Sequence, residues 1–531
     1  MTALFSTRQE THYGQRRMRC YAARPASVDA LLRRSVATYP DTVALRHDAA
    51  AVSYAELDAM VDRVAGNLAD AGIGPGERVA IALGNRLEFV FAVLGCVRLG
   101  AIGVPLNIRM RRPELAFALN QCRAAALVHE AALAGQVPAP ADVASVRRVY
   151  ACGDAVPGAT PFSVLLQPAP PPPAAAIGEE DTCHLLYTSG TTGKPKGAML
   201  THLGIVHSAL HFERHAELRA GDVGIVAVPA SHVTGLVAQL YTLLQVGGTA
   251  VLMGEFKARA YLELAERVRC SYAILVPAMY NLLLLDPGFD RFDLSAWRVG
   301  AYGGAPMPEA TIAALADKLP NLILANGYGA TETTSPQVMM PLGATRGHED
   351  SIGKVLECCD TKMVDDAGHE VPPGTVGEMW HAGPNVVPGY WDNPEANAEN
   401  FADGYWKSGD LGSIDAQGFV RIHDRKKDMI NRAGFKVYSA EVENVLAHHP
   451  EVLECAIVGR PDPVLGERVQ AFVVPKHAGV SARSIRDFLG ERLSDYKVPD
   501  RVTFLAQPLP RNPNGKVVKG ELRKLIAEEM S

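Results

Sequence analysis

The 531-residue chain carries 52 lysines and arginines against 58 aspartates and glutamates, a formal net charge of -6, with 48% hydrophobic and 21% charged residues. At roughly 150 residues per domain this length excludes a single core and calls for several folding units, while interspersed charges of both signs exclude the basic footprint of a nucleic-acid binder. No stretch reaches the ~20 uninterrupted apolar residues of a membrane span, and nine scattered cysteines without metal or redox spacing fit a reducing, cytoplasmic compartment.

In chain order, GERVAIALG (76–84) and AIGVPL (101–106) are apolar strands, and RLEFVFAVLGCVRLG (86–100) between them has a helical period. This alternation predicts α/β architecture with a parallel, helix-covered sheet. The stretch 167–180, QPAPPPPAAAIGEE, is too rich in proline for a helix interior or a central strand. It is expected to be a surface connection separating two sheet-building regions. Next comes LLYTSGTTGKPKGAMLTH (185–202), where an apolar strand end runs into a loop of glycines, hydroxyls and lysines. Such a loop can offer backbone N–H groups, hydroxyls and positive charge to phosphate oxygens. It does not fit the Walker pattern, because Lys194 and Pro195 stand where Gly-Lys-Ser/Thr is required. From about Gly418 the texture becomes that of a small α+β unit: strand FVRIH, charged run DRKKD (424–428), helix SAEVENVLAHHP, strands ECAIVG and VQAFVVP, and helix SARSIRDFLGERL. Five consecutive charges suit a solvated hinge, which places the boundary between domains 1–425 and 426–531.

TSGTTGKPKG resembles the phosphate-loop signature of the acyl-adenylate-forming superfamily, which contains acyl-CoA synthetases, peptide-synthetase adenylation domains and beetle luciferases. Four further segments resemble its other motifs, in the family's order: GYGATE (Gly327–Glu332), YWKSGDLG (Tyr405–Gly412), DRKKDMINRAGFKVYSAEVE (Asp424–Glu443) and NPNGKVVKGEL (Asn512–Leu522). The resemblance covers nearly the whole chain from about Val28. It implies a large N-terminal domain of helix-covered sheets and a small mobile C-terminal α+β domain. The implied reaction joins a carboxylic acid to AMP with loss of pyrophosphate, then passes the acyl group to coenzyme A.

The resemblance also assigns residues. Thr188, Ser189, Gly190, Thr191, Thr192, Gly193 and Lys196 would hold the phosphates. Gly303, Gly304 and Ala305 would lay backbone against adenine and the acyl group, a closeness that glycine permits; a simple turn is the competing reading. Asn326, Gly327, Tyr328 and Gly329 would frame the adenine, with Tyr328 stacking on it. Thr331 would touch the α-phosphate, and Glu332, aided by Thr188, would bind magnesium, a hard cation that wants oxygen ligands. Asp410 can accept from both ribose hydroxyls as a carboxylate does, and Arg425 would contact the same sugar. Lys516 would bridge the carboxylate and the α-phosphate, where two anions meet and positive charge is needed. In the second half-reaction the small domain would turn about Lys427, and Gly434 with Phe435 would line the thiol tunnel.

The segment PASHVTGLVAQL (229–240) resembles the family's acyl-pocket stretch, with His232 at an aromatic gate position and Val233, Gly235, Gly303 and Thr333 to Pro336 offering small and apolar surface around it. Amino-acid-activating relatives carry an aspartate here and this chain does not. The expected acid therefore lacks an α-amino group and is aliphatic, cyclic or aromatic. No carrier domain follows Lys516 in the chain, so coenzyme A is the expected acceptor, with a separate carrier protein as the alternative. A non-catalytic nucleotide sensor on this fold would be expected to have lost Lys516, Glu332 or Asp410, and all three are present. A homodimer is in keeping with the family.

Overall fold

The strand–helix–strand alternation read between residues 76 and 106 is what forms: strand Arg78–Ala82, helix Leu87–Leu99 and strand Ile102–Pro105, the strands parallel with Val79 opposite Gly103. The helix is buried on every side from Phe89 onward and ends at Gly100, whose φ of +75° is the left-handed C-cap glycine relieves. A helix apolar all round belongs in a core, and this one lies against helix Tyr54–Asp70, so closely that a Cβ on Gly95 would stand 2.5 Å from Val64 Cγ1. The computed structural model describes residues 5–172, 175–188, 195–433, 435–511 and 517–530. By internal packing the chain forms two compact units, residues 1–361 with 381–406, and residues 362–380 with 407–531.

The larger unit holds a seven-stranded sheet in the order Lys196–Thr201, Thr182–Thr188, Ile102–Pro105, Arg78–Ala82, Ala126–Glu130, Arg148–Cys152 and Thr160–Pro161. Only the first two pair antiparallel. This corrects the expectation that the proline-rich stretch separates two sheet-building regions. The strands that follow it return to the sheet that precedes it, with His184 paired to Gly103. The connector is nonetheless without helix or strand among its described residues. It packs on the helix layer, where a Cβ on Gly66 would meet Pro170 O at 2.2 Å. A second sheet of this unit runs Gly353–Val355, Val338–Met339, Ile323–Tyr328, Val299–Tyr302, Tyr272–Leu275, Val223–Val226, Thr249–Leu252, Val43–His47 and Ala50–Ser53. Its five central strands, from Ile323–Tyr328 to Thr249–Leu252, are parallel.

A buried ion cluster ties the helix layer together. Arg98, whose side chain is 2% exposed, lies 2.7–2.8 Å from the carboxylates of Asp29, Asp58 and Asp62. Removing Arg98 strands Asp58 and Asp62 and leaves Asp29 with Arg33 alone, at 2.7 Å, and breaking a buried pair of this kind costs about 3 kcal/mol or more. Arg98→Leu is therefore expected to lower the thermal midpoint by several degrees, read by circular dichroism; an unchanged midpoint would show the cluster to be energetically neutral.

In the smaller unit, strands Val452–Asp462 and Gly466–Pro475 form a long antiparallel hairpin, flanked by Ile430–Arg432, Phe435–Val437 and Arg501–Phe504. Ile457, Val469, Ala471 and Val473 pack with Val442, Leu446, Ile485 and Leu489 of helices Ser439–Leu446 and Ala482–Gly490. Ala456, Val458, Phe472 and Val474 pack with Leu522 and Ile526 of helix Lys519–Met530. Side chains alternate along a strand, so helices on both faces explain why residues 455–458 (CAIV) and 471–474 (AFVV) are unbroken apolar runs. The charged run 424–428 differs from expectation. Arg425, Lys426 and Lys427 are exposed, but Asp424 and Asp428 are buried, because each is paired: Asp424 accepts from Ser439 N and Oγ, and Asp428 from Arg523 at 2.7 Å. Compactness groups Asp410 and Arg425 with the smaller unit.

Candidate active site

The strands that flank the phosphate-loop sequence form a hairpin in the larger unit. Strands Thr182–Thr188 and Lys196–Thr201 pair antiparallel with Thr188 opposite Lys196. Ser189, Gly190, Thr191, Thr192 and Gly193 lie outside the described residues. At the hairpin's mouth, Thr188 Oγ1 stands 3.5 Å from Glu332 Oε1, bringing together two residues 144 positions apart that the sequence assigned to one metal. Glu332 is 8% exposed. Tyr390 Oη donates to its Oε1 at 2.9 Å, and the Lys196 ammonium lies 5.2 Å from the Tyr390 ring centroid, a cation–π distance. Burial and the neighbouring Glu332 carboxylate push the Tyr390 phenol well above its ordinary range, so it remains a donor.

Tyr390 is a residue the sequence reading missed. It is placed by backbone pairing, Trp391 N to Gly197 O at 2.8 Å and Met199 N to Gly389 O at 3.1 Å, which lays residues 389–391 along the strand leaving the phosphate loop. Nothing local in GPNVVPGYW announces a partner 58 residues away; the one signal is a tyrosine set among glycines and prolines.

The residues assigned from the sequence to adenine gather at the C-terminal ends of parallel strands Val299–Tyr302 and Ile323–Tyr328, with Tyr302 opposite Asn326, where ligands of open α/β sheets bind. A Cβ on Gly303 would stand 2.3 Å from Gly327 O, so its glycine is required by the approach of two strand ends. Gly304 has φ +78° and Ala305 is exposed. Asn326 O accepts from Met340 N, and Gly329 is pressed on by Thr333 and Pro336. The Tyr328 ring is half-buried, and its Oη lies 3.3 Å from Nε2 of fully buried His381. Desolvation drives His381 down to about 3, so it faces Tyr328 as a neutral imidazole. His381 too had no sequence signal. Thr331 is buried beside Glu332.

In the segment assigned from the sequence to the acid pocket, Thr234–Tyr241 is π-helical, a form that recurs at functional sites. Wider turns displace carbonyls from their usual donors, and two are met from outside the ladder: Ala238 O by Tyr272 Oη at 3.1 Å, and Val237 O by Thr242 Oγ1 at 3.0 Å. Gly235 is needed because a Cβ would lie 2.4 Å from Pro229 O. Val233 is buried in the main core, while half-buried His232 bonds Thr234 through Nδ1.

Within the smaller unit, Asp410 and Arg425 are register partners, Nε to Oδ1 at 3.0 Å. Lys427 is exposed, its carbonyl accepting from Arg523 at 3.2 Å. Phe435, 57% exposed, stacks on Tyr496 with centroids 4.8 Å apart. Gly434 and Lys516 lie outside the described residues. The flanks of 512–516 are pinned: Arg511 bridges Val517, Val518 N donates to Pro510 O at 2.8 Å, and Lys519 pairs with Glu443 at 2.8 Å and donates to Ser439 Oγ at 2.6 Å.

Comparison with known proteins finds similarity along nearly the whole chain. A family model of AMP-binding enzymes matches residues 32–391, and one of the AMP-binding enzyme C-terminal domain matches residues 441–516. The chain is 37% identical to a feruloyl-CoA synthase of Amycolatopsis over 91% of its own length and 96% of the relative's. It is 34% identical to an indoleacetate–CoA ligase of Aromatoleum aromaticum, over 92% and 96%. Among solved structures, an anthranilate CoA ligase bound to anthranoyl-AMP superposes with a TM-score of 0.87 at 26% identity, over 94% of this chain and 97% of that one.

Proposed function

The chain belongs to the AMP-binding enzyme family, and from that premise we propose that it activates an aromatic carboxylic acid without an α-amino group and hands it to coenzyme A. It is an ATP-dependent acid–CoA ligase. In the first half-reaction a carboxylate oxygen attacks the α-phosphorus of ATP, the bond to the β-phosphate breaks, and pyrophosphate leaves. In the second, the thiol sulfur bonds to the acyl carbon and AMP departs.

The observation that carries this reading is the cluster at the phosphate-loop mouth: Thr188, Glu332, Tyr390 and Lys196. A buried carboxylate beside a hydroxyl is the hard-oxygen donor set that magnesium takes while keeping waters and phosphate oxygens, so Glu332 and Thr188 fit that ion. When bound, magnesium neutralises triphosphate charge. Tyr390 fixes the Glu332 carboxylate, and Lys196 adds a cation behind it. Tyr328, steadied by neutral His381, offers a ring face to adenine; Asp410, steadied by Arg425, offers acceptors to ribose hydroxyls; Lys516 supplies the charge between the two anions. The functional division at 425/426, with Lys427 as its hinge, the thiol path along Gly434 and Phe435, the acid pocket at His232, Val233, Gly235 and Gly303, a cytoplasmic location and a homodimer belong to the same proposal. Among the described residues no helix is long and apolar enough to cross a membrane.

The aromatic assignment rests on the relatives, named for feruloyl, indoleacetate and anthranoyl groups, together with the absence of an aspartate in 229–240. Purified protein with ATP, magnesium and coenzyme A should release pyrophosphate and form thioester with ferulate, indole-3-acetate or anthranilate at a kcat/KM about tenfold or more above that for decanoate or malonate. A preference for the fatty acid or the dicarboxylate would overturn the aromatic reading. Pyrophosphate without thioester would move the acceptor away from coenzyme A.

A further inference from the structure

Immediately after Thr331 and Glu332 the backbone turns through two consecutive left-handed residues, Thr334 at φ +50° and Ser335 at φ +51°. Neither is glycine and Thr334 is β-branched, so the turn persists only if its surroundings over-determine it. Backbone bonds close it, Thr334 N to Thr331 O at 3.0 Å and Ser335 N to Ala330 O at 3.1 Å, and one side chain brackets it. Fully buried Asn385 donates through Nδ2 to Thr333 O at 3.0 Å, to Pro336 O at 3.1 Å and to Gln337 Oε1 at 2.9 Å, bracketing the left-handed pair from both sides. Its Oδ1 accepts from Cys359 Sγ at 3.3 Å. Gln337, also fully buried, is anchored by Nε2 to Asp360 O at 2.8 Å. Helix His202–His215 adds a tether of its own, Ser208 Oγ to Ser335 O at 2.7 Å.

We propose that Asn385 is a positioning residue for adenylation, holding the strained 333–336 turn so that Thr331 and Glu332 stand where the nucleotide needs them. The inference rests on the roles given above to those two residues. Asn385 shares its segment with Val387, whose N–H donates to Glu332 O at 2.9 Å, and with Tyr390, which holds the Glu332 carboxylate. One stretch of chain thus carries the clamp on the turn and two of the contacts to Glu332. Without the amide, the Thr333 and Pro336 carbonyls lose a donor in a buried place, and the turn relaxes toward right-handed backbone, carrying Glu332 off its partners.

The test is Asn385→Ala, with the two half-reactions measured separately: acid-dependent pyrophosphate release, and acyl transfer to coenzyme A from supplied acyl-AMP. Pyrophosphate release should fall about tenfold or more in kcat while acyl transfer stays within about twofold. Adding Ser335→Gly should restore much of the loss, since glycine holds a positive φ without a tether. Parallel loss of both half-reactions, or unchanged pyrophosphate release from folded protein, would overturn the proposal. If Asn385→Ala does not fold, Ser208→Ala, which removes only the tether on Ser335 O, should give the same selective loss at smaller size, and equal or absent losses count against it. Glu332→Gln is the control: if it spares adenylation, the role given to Glu332 is at fault; if it cripples adenylation and Asn385→Ala does not, the positioning role is.

Discussion

Lowering the pH from 7 to 5 is expected to unfold the larger unit cooperatively. His184, His202, His207, His211 and His381 are buried there, and desolvation depresses each: His184, His207 and His381 to about 3, His202 to about 4, and His211 well below its ordinary value. Unfolded histidines take up protons near pH 6.5 and these do so only far lower, so between those values the unfolded state binds more protons. Stability is therefore complete above pH 6.5 and lost as the pH falls, at about 1.4 kcal/mol per pH unit for each histidine. At pH 5 five such groups remove roughly 10 kcal/mol, on the order of a whole domain's stability of about 5–15 kcal/mol. Glu213, whose carboxyl is raised by burial, acts in the opposite sense but is one group against five. Fluorescence and circular dichroism followed against pH at fixed ionic strength should show the transition between about pH 6 and 5; a signal flat to pH 4.5 would refute it. Among the described residues neither ring nitrogen of His211 has a hydrogen-bond partner. His211→Phe should accordingly stabilise the fold at neutral pH by about 1 kcal/mol and move the acid transition downward.

Lys516→Ala and Lys427→Pro are expected to be mirror images. In the proposed role the lysine at 516 would act only where the carboxylate meets the α-phosphate, so its loss should slow pyrophosphate release by about a hundredfold or more. Transfer from supplied acyl-AMP to the thiol, which forms no new phosphate bond, should remain near wild type. Proline at 427 fixes φ in an exposed residue of the hinge motif and removes an N–H. It should spare acyl-AMP formation and abolish thioester formation. Single-turnover assays of each half-reaction distinguish these outcomes. Equal loss of both half-reactions in Lys427→Pro would mean that the hinge is elsewhere, and near-normal pyrophosphate release from Lys516→Ala would remove that lysine from the chemistry.

The larger unit brings Thr188 and Glu332 to 3.5 Å, and the smaller one pairs Asp410 with Arg425, so residues of separate sequence motifs meet in space. What links them in the sequence is chemistry readable locally: glycines and hydroxyls for phosphate, an acceptor for ribose, a carboxylate for magnesium. Tyr390, His381 and Asn385 are of another kind. Each works on a residue about 50 positions away through a loop that looks like any Gly/Pro-rich connection, and burial makes it matter.

From the sequence alone came the α/β class, the ordered motifs, the strands and helices with clear periods, and the chemistry of the candidate residues, because all of these follow from local pattern and side-chain type. Tertiary structure alone decided which sheet each strand joins: the strands after the proline-rich connector rejoin the first sheet, and the Val43–His47 strand crosses to pair with Thr249–Leu252 in the second. It also decided that Asp424 and Asp428 are buried, and that a left-handed turn held by Asn385 stands behind Glu332. The physical reason is common to all three: backbone pairing, charge burial and strain are set by partners distant in sequence, and a partner's presence cannot be read from the residue that needs it.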